Sequence, residues 1–346
     1  MRQFKRVLAV IIAAVMMLSL ASCSMAPETD TDITNDNIKI GLLLSDTKDA
    51  TSGETGYCMN AINELMNAGY GINEDKFRYA ESVNPDDADA VSAAITSLLN
   101  YECHLVIGSD EAFIDGIKKA AAEENNANVK FFVFGAENDG KNVYGYEANI
   151  TCAAYLTGIV AGMKAADLQN TKLGFLAESD KDLVVLNAFA MGAKSVNEAA
   201  TVSVVYGTDA AAAVDKLIKD GCVVLASDYE DEAIATAADE AKIFFCGFGS
   251  ETYASHSESF LCAPAYNFTQ IYIDAIKAIV DDKAPADDAF KGDYKTGATY
   301  LTDLNEALVA AGSQEAVVKA ANEIAGGQLT FTVNATEAFG NVVVVK

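Results

Sequence analysis

Short apolar runs alternate with amphipathic segments along most of the chain. Residues 38–45 (IKIGLLLS) are almost continuously apolar and of strand length, which is typical of a strand buried on both faces. Similar runs occupy residues 77–81, 104–109 and 129–134. Helices are predicted between them at residues 58–68, 86–100 and 111–124. This alternation predicts a parallel sheet with helices on both faces.

A second α/β unit begins at residues 149–166 (NITCAAYLTGIVAGMKAA), where apolar and small residues recur at helical spacing. Gly158 and Gly162 lie on one face of this predicted helix, so another backbone can approach closely, and we expect them to pack the helix on a second sheet. Strands are then predicted at residues 172–177, 201–206, 222–227, 243–248 and 260–265. Helices are predicted at residues 183–197, 209–220, 231–241, 269–281 and 313–325. A terminal strand pair is predicted at residues 329–333 and 341–345.

Two doubly wound sheets in series predict an α/β protein with two lobes. Ligands bind outside the carboxyl ends of the strands in open parallel sheets, and two such edges facing each other form a cleft that closes by a hinge. We expect a first lobe of residues 38–146 plus about 266–295, and a second lobe of residues 147–265 plus about 296–346. Residues 146–151 form the first predicted crossing between them.

The N-terminus has the pattern of a targeting segment. Arg2, Lys5 and Arg6 precede an apolar run at residues 7–20, and Cys23 follows directly after small residues. This resembles a bacterial lipoprotein signal, which predicts removal of residues 1–22 and acylation of Cys23. Residues 23–37 are polar and acidic, so we expect a flexible tether to the outer face of the cell membrane. The alternative is an ordinary secretory signal with a chance cysteine.

The charge of the chain limits its partners. The 346 residues include 24 Lys and Arg against 50 Asp and Glu, a net charge of −26, and basic clusters are missing beyond the first six residues. Nucleic acid is therefore excluded as a partner, because binding it depends on neutralising phosphates with Lys and Arg. The cysteines after Cys23 form no CxxC pair, and we expect buried free thiols rather than a disulfide framework.

The sequence offers little for catalysis. No P-loop or GxGxxG fingerprint follows any predicted strand, so a nucleotide cofactor is not expected. The two histidines, His104 and His256, show neither metal-ligand spacing nor pairing with a cysteine. We therefore predict a protein that is not an enzyme and carries no cofactor and no metal. An enzyme that uses paired carboxylates on a glycoside or nucleoside remains as a remote alternative.

Several segments resemble one known family. Residues 153–158 (AAYLTG), 172–176 (KLGFL) and 189–194 (FAMGAK), followed by the strand at 222–227, are similar in order and spacing to the basic membrane protein (Bmp/PnrA-like) family. Its members are substrate-binding lipoproteins of ABC importers with a type I periplasmic-binding-protein fold, and characterised members bind purine nucleosides. The resemblance implies this fold, a small-molecule ligand and an ABC permease as partner.

The ligand positions of that family can be placed one at a time. Asp46 corresponds to the aspartate after the first strand. Tyr57 keeps the aromatic of the Asp-Lys-Ser-Phe-Asn signature, whereas Cys58 stands where the signature has its asparagine. The aspartate and lysine that contact ribose and base in the family fall on Gly249 and near Tyr266.

The residues that follow the predicted strands form the candidate ligand site. Aromatic rings there would sandwich a planar ring, and carboxylates would accept hydrogen bonds from hydroxyls or amines. For each aromatic the alternative is a loop anchor, and for each acid a solvated loop. The predicted ligand-binding residues are Asp46, Tyr57, Ser109, Asp110, Phe113, Glu137, Glu178, Asp228, Tyr229, Phe248, Ser250 and Tyr266.

These features together predict a monomeric substrate-binding lipoprotein of an ABC importer. It would capture a small polar, ring-containing metabolite when its two lobes close, and the resemblance favours a nucleoside-like ligand. A ligand shifts such an equilibrium only by its differential affinity for the closed state. The alternative is a lipoprotein that senses a ligand and signals to a membrane receptor, since both would use the same hinged clamp.

Overall fold

The computed structural model describes residues 33–249, 252–256, 258–281 and 290–345. Cys23, the predicted signal at residues 1–22 and most of the predicted tether lie outside these ranges, as does Ser250. Residues from Thr34 onward form one compact unit. Within the described ranges, no helix has both the length and the apolar character needed to cross a membrane.

Strands and helices alternate through most of this unit. The strands are β1 Ile40–Leu43, β2 Phe77–Ala80, β3 Leu105–Gly108, β4 Lys130–Phe134, β5 Val143–Ala148, β6 Lys172–Ala177, β7 Thr201–Tyr206, β8 Val224–Ser227, β9 Phe244–Cys246, β10 Phe260–Cys262, β11 Pro264–Tyr266, β12 Lys291–Gly292, β13 Thr299–Leu301 and β14 Val342–Val344. The helices are α1 Gly53–Asn67, α2 Ala88–Asn100, α3 Ile114–Ala121, α4 Thr151–Asp167, α5 Val184–Val196, α6 Ala210–Lys219, α7 Glu232–Ala241, α8 Thr269–Val280 and α9 Ser313–Ala325.

The first sheet has six parallel strands in the order β12-β5-β4-β3-β1-β2. All four residues of β1 are buried, and Leu42 pairs with Tyr79 on one side and Ile107 on the other. This central position explains the continuously apolar run, because both faces of the strand are covered. We call this sheet and its flanking helices the first lobe.

The second sheet also has six parallel strands, in the order β10-β9-β8-β6-β7-β14. Its central strand β6 pairs with β7 and β8, and Leu173, Phe175 and Ala177 of β6 belong to the main core cluster. We call this sheet and its helices the second lobe. The predicted pair of doubly wound parallel sheets is therefore confirmed.

Three stretches of chain pass between the sheets. The chain leaves β5 for α4, returns through β11 to α8, and crosses again through β13. β11 and β13 pair as an antiparallel ribbon, and the Thr299 hydroxyl donates a hydrogen bond to the Asn149 carbonyl at 3.1 Å. The three crossings therefore lie side by side and are joined by hydrogen bonds.

Aspartates fix the starts of several helices. The Asp87 carboxylate accepts hydrogen bonds from the amides of Asp89 and Ala90 at the start of α2. Asp209 and Asp231 do the same for α6 and α7. Such caps satisfy amides that have no partner within the helix, which is why these helices begin close to their predicted positions.

The helix α4 packs through its glycines on another helix, and the expectation that they pack on the sheet was wrong. A β-carbon added at Gly158 would lie 2.1 Å from the Phe189 carbonyl oxygen, and one at Gly162 would lie 2.7 Å from the Ala193 oxygen. Both contacted residues belong to α5. Small residues on α4 thus allow the two helix backbones to approach closely.

Other predicted elements need correction. The strand β5 was not predicted, because its sequence VYGYEA breaks the apolar run with Gly145 and Glu147. Residues 329–333 form no strand, and β14 pairs in parallel with β7 instead of with them. α1 begins at Gly53, five residues before the predicted position 58, so Tyr57 lies in its first turns and not in a loop.

Candidate functional site

The carboxyl ends of the two sheets meet at α1 and Glu230. α1 follows β1 of the first lobe, and Glu230 follows β8 of the second lobe. The Tyr57 hydroxyl donates a hydrogen bond to Oε2 of Glu230 at 2.7 Å, and the Gly53 amide donates to the same oxygen at 2.5 Å. The candidate ligand edges of the two lobes therefore face each other across this contact.

Three predicted aromatic residues gather at this place. The rings of Tyr57 and Tyr266 have centroids 5.1 Å apart, and the ring of Phe248 meets Tyr266 edge to face at 6.2 Å. Tyr266 also stacks on Phe268 at 5.5 Å. The rings of Tyr57 and Tyr266 are too close together to hold a planar ligand in this structure, because a ligand stacked between two rings needs their centroids about 7 Å apart.

Gly249 forms the floor beneath Tyr57. Its φ of 82° lies in the left-handed region, and a β-carbon there would lie 1.7 Å from the Tyr57 hydroxyl oxygen. Its amide donates to the Pro264 carbonyl at 2.8 Å, which fixes it beside the crossing strand β11. The tyrosine hydroxyl therefore occupies the space that any side chain at this position would need.

Buried hydroxyls line the first-lobe side. Thr55 and Ser109 are each 2% exposed, and their oxygens lie 3.5 Å apart. Thr55 also contacts the Ser45 hydroxyl at 3.2 Å and accepts a hydrogen bond from the Asp46 amide. This chain of hydroxyls ties α1 to the ends of β1 and β3, and it includes the predicted residue Ser109.

Asp228 and Glu178 meet on the second-lobe side, as expected for residues that follow neighbouring strands. Asp228 accepts a hydrogen bond from the Glu178 amide at 2.8 Å. Burial raises the pKa of Asp228 to about 7, and the carboxylates of Glu178 and Asp182 add to the rise. Asp228 is therefore a partly desolvated carboxyl group at the edge of the second sheet, next to the exposed Glu178.

The remaining predicted residues have other surroundings. Phe113 is fully buried in the core of the first lobe, which does not fit a ligand contact. Asp110 accepts a hydrogen bond from the Ala112 amide and begins a short 3₁₀ turn. Tyr229 donates to the Gly207 carbonyl at 3.3 Å. Asp46 and Glu137 are exposed.

A cavity of about 290 Å³ lies beside the contact between the lobes. It is lined by Thr51, Ser52, Glu230, Asp231, Glu232 and Tyr253. None of these was predicted. Glu230 is the neighbour of the predicted Tyr229, and the position after a buried strand was the signal that could have identified it. Among the residues described, no group of three His, Cys, Asp or Glu side chains is placed to hold a metal ion.

The comparison with protein families decides the classification. The model described as ABC transporter substrate-binding protein PnrA-like (Bmp) matches residues 60–326. The chain belongs to the Bmp family. Bmp proteins bind small-molecule ligands outside the cytoplasm and work with an ABC transporter. The predicted family is confirmed, and so is the prediction that the chain is not an enzyme.

Individual relatives agree with this assignment. A putative ABC transporter glucose-binding protein, TsgA13 of Haloferax volcanii, is 25% identical over 283 residues, which cover 75% of this chain and 70% of that protein. The solved structure of an ABC transporter system solute-binding protein from Conexibacter woesei has a TM-score of 0.67 at 16% identity and covers 86% and 99% of the two chains.

A second solved structure has the same fold. A transcriptional activator of the comK gene from Bacillus halodurans has a TM-score of 0.68 at 19% identity and covers 85% and 100% of the two chains. The match to the Conexibacter structure, together with the two parallel sheets, confirms the predicted type I periplasmic-binding-protein fold.

Proposed function

We propose that this Bmp protein is a lipoprotein, anchored through Cys23 to the outer face of the cell membrane, that captures a small polar, ring-containing metabolite and passes it to an ABC permease. Capture occurs by closure of the two lobes, with boundaries near residues 146, 266 and 296. Ligand contacts from both lobes stabilise the closed arrangement.

One observation carries this proposal. Tyr57 reaches from the first lobe to Glu230 on the second, and the rings of Tyr57, Phe248 and Tyr266 meet at the same place. Aromatic faces beside carboxylates suit a ring that has one apolar face and several hydroxyl groups. Such a ligand would separate the rings of Tyr57 and Tyr266 and lie between them.

The surroundings of position 249 favour a sugar over a nucleoside. The family resemblance puts the ribose-contacting aspartate at Gly249, where the Tyr57 hydroxyl leaves no room for a side chain. The base-contacting lysine falls near Tyr266, whose phenol cannot supply a positive charge. The relative TsgA13 is named as a glucose-binding protein, which adds support for a monosaccharide.

A thermal-shift screen tests the proposal. The purified protein is melted with separate panels of monosaccharides, purine nucleosides and free nucleobases. We expect one or more monosaccharides to raise the Tm, because a ligand that binds only the folded state stabilises it. A shift with nucleosides alone would overturn the choice of sugar, and no shift with any panel would overturn the ligand class.

Variants locate the site once a ligand is found. Tyr57→Ala and Asp228→Ala should each weaken binding by more than about tenfold, since Tyr57 is a buried and Asp228 a half-buried side chain at the proposed site. Glu240→Ala, an exposed position on α7, is the matched control and should bind like the unmodified protein. Unchanged affinity in both site variants would place the ligand elsewhere.

A further inference from the structure

We propose that Glu230 is a latch between the two lobes, which holds them together through contacts made by the chain alone. This proposal rests on the proposed closure of the lobes, and it gives Glu230 a role in the equilibrium between the open and closed arrangements. The latch consists of Glu230 on the second lobe and Tyr57 with the Gly53 amide on the first.

The first part of the latch is a carboxylate at the start of a helix. Gly53 is the first residue of α1, and the preceding Ser52 gives no side-chain hydrogen bond to the helix. The Glu230 carboxylate supplies the partner instead, from a position 177 residues away in the sequence. A negative charge at this end is favoured by the amides without helical partners and by the helix dipole. The second lobe therefore caps a helix of the first.

The second part is the hydrogen bond from Tyr57. Its side chain is only 7% exposed, so little water competes for the hydroxyl. Burial and the nearby Glu230 carboxylate raise the pKa of Tyr57 well above its ordinary value, which keeps the phenol protonated as a donor. A hydrogen bond to an ionised acceptor is stronger than one between neutral groups, and here both bonds end on one carboxylate oxygen.

The shape of the second lobe supports the same role. Tyr57 rests on Gly249, and Glu230 lies beside it, with its carboxyl carbon 3.1 Å from the position that a Gly249 β-carbon would take. Tyr57 thus enters a socket made by Gly249 and Glu230. A ligand that binds the Tyr57 hydroxyl has to displace Glu230 from it, so the hydrogen bond to Glu230 lowers the affinity of the protein for such a ligand.

Distance measurements between the lobes test the latch. Spin labels are introduced through an encoded unnatural amino acid at the exposed positions of Lys118 on α3 and Lys216 on α6, in the full chain and without added ligand. Pulsed electron paramagnetic resonance then gives the populations of short and long distances. We compare the unmodified protein with Glu230→Gln, Tyr57→Phe and the control Glu240→Gln.

Loss of the latch should raise the open population. We expect Glu230→Gln to increase the ratio of long to short distances by about tenfold, which corresponds to about 1.4 kcal/mol. Tyr57→Phe removes one of the two hydrogen bonds and should give a smaller increase. Glu240→Gln removes the same charge from an exposed site on the second lobe and should leave the distribution unchanged.

The outcomes separate the latch from the ligand proposal. The latch proposal would be wrong if Glu230→Gln and the unmodified protein gave the same distance distribution. It would also be wrong if Glu240→Gln increased the long distances as much as Glu230→Gln does. Circular dichroism checks that each variant is folded, and Glu230→Asp replaces Glu230→Gln if the latter unfolds, because its shorter side chain withdraws the carboxylate. Lobe opening in Glu230→Gln without any ligand-induced Tm shift would support the latch and contradict the ligand proposal.

Discussion

The contact between the lobes at Tyr57 requires that Gly249 has no side chain. Its backbone has a positive φ, and the Tyr57 hydroxyl fills the space beside it. The positive φ favours glycine, and the Tyr57 hydroxyl leaves no room for a β-carbon. The glycine at this family ligand position is therefore matched to Tyr57, and the two residues act as a pair.

Gly249→Ala should therefore destabilise the protein and displace Tyr57. We expect a loss of about 2–4 kcal/mol in the free energy of unfolding, from the strained backbone and the forced movement of the ring. Urea denaturation measures this loss. Adding Tyr57→Ala removes the ring but not the backbone strain, so the double variant should be more stable than the sum of the two single losses predicts. Strict additivity would contradict the pairing.

Asp228 makes stability depend on pH. Its pKa of about 7 in the folded state exceeds the value of about 3.9 expected when unfolded, so the folded state binds more protons between these values. The stability that Asp228 contributes is fully present below about pH 4 and is lost progressively as the pH rises to about 7. The slope is at most about 1.4 kcal/mol per pH unit.

Asp228→Asn should remove this dependence. Relative to the unmodified protein, the variant should gain free energy of unfolding as the pH rises from 5 to 8, as measured by urea denaturation at each pH. Glu240→Gln, which neutralises an exposed carboxylate, serves as the comparison. Parallel stability curves for Asp228→Asn and the unmodified protein would show that the burial of Asp228 has no such effect.

For individual residues, the sequence predicted which side chains lie at the site better than it predicted which of them contact each other. Tyr57, Phe248 and Tyr266 were selected because they follow strands or match a family position, and the structure brings them together. Phe113 met the same criterion but lies in the core. Glu230 was missed, because pairing between residues 173 positions apart depends on how the lobes meet, which a local pattern does not contain.

Among the elements, α4 and α5 are a closely packed helix pair. Gly158 and Gly162 of α4 face Phe189 and Ala193 of α5, and Gly192 of α5 faces the Tyr155 carbonyl. Glycines on both helices let the backbones approach closely, and both helices pack in one core cluster with the second sheet. This helix pair carries one end of the first crossing between the lobes.

Gly158→Ala should disrupt that helix pair. The added β-carbon would lie 2.1 Å from a backbone oxygen, which cannot move without shifting the helix. We expect a loss of about 1–3 kcal/mol, despite the better helix propensity of alanine. The control is Gly340→Ala, where nothing lies within 4 Å of the new atom. Thermal unfolding compares the two, and equal Tm values would contradict close packing of the helices.

Elements with strong patterns were predicted well, and those fixed by their neighbours were not. Buried strands such as β1 and β6 have apolar runs, and aspartate caps fix the starts of α2 and α7. β5 has a mixed sequence and becomes a strand because β4 and β12 pair with it on either side. Residues 329–333 have an alternating pattern but form no strand with any of the described residues, so the pattern alone was misleading.

For the whole molecule, the predicted membrane anchor depends on one cysteine. Cys23→Ser should move the protein from the membrane fraction to the soluble fraction and abolish labelling by a palmitate analogue, since the thiol is the predicted acylation site. Cys152→Ser is the control and should change neither result, because Cys152 lies within α4. Labelling that persists in Cys23→Ser would contradict the lipoprotein prediction.

The order of strands in the first sheet has a consequence for how the chain folds. Its edge strand β12 and the helix α8, which packs on α1, come after nearly all strands of the second sheet. The second sheet in turn includes β14, which follows β12 in the chain. The first lobe therefore cannot be completed until most of the second lobe has been synthesised, and contacts distant in sequence slow folding. Each lobe is thus completed by a segment that follows part of the other lobe, so we expect the two lobes to fold together rather than one after the other.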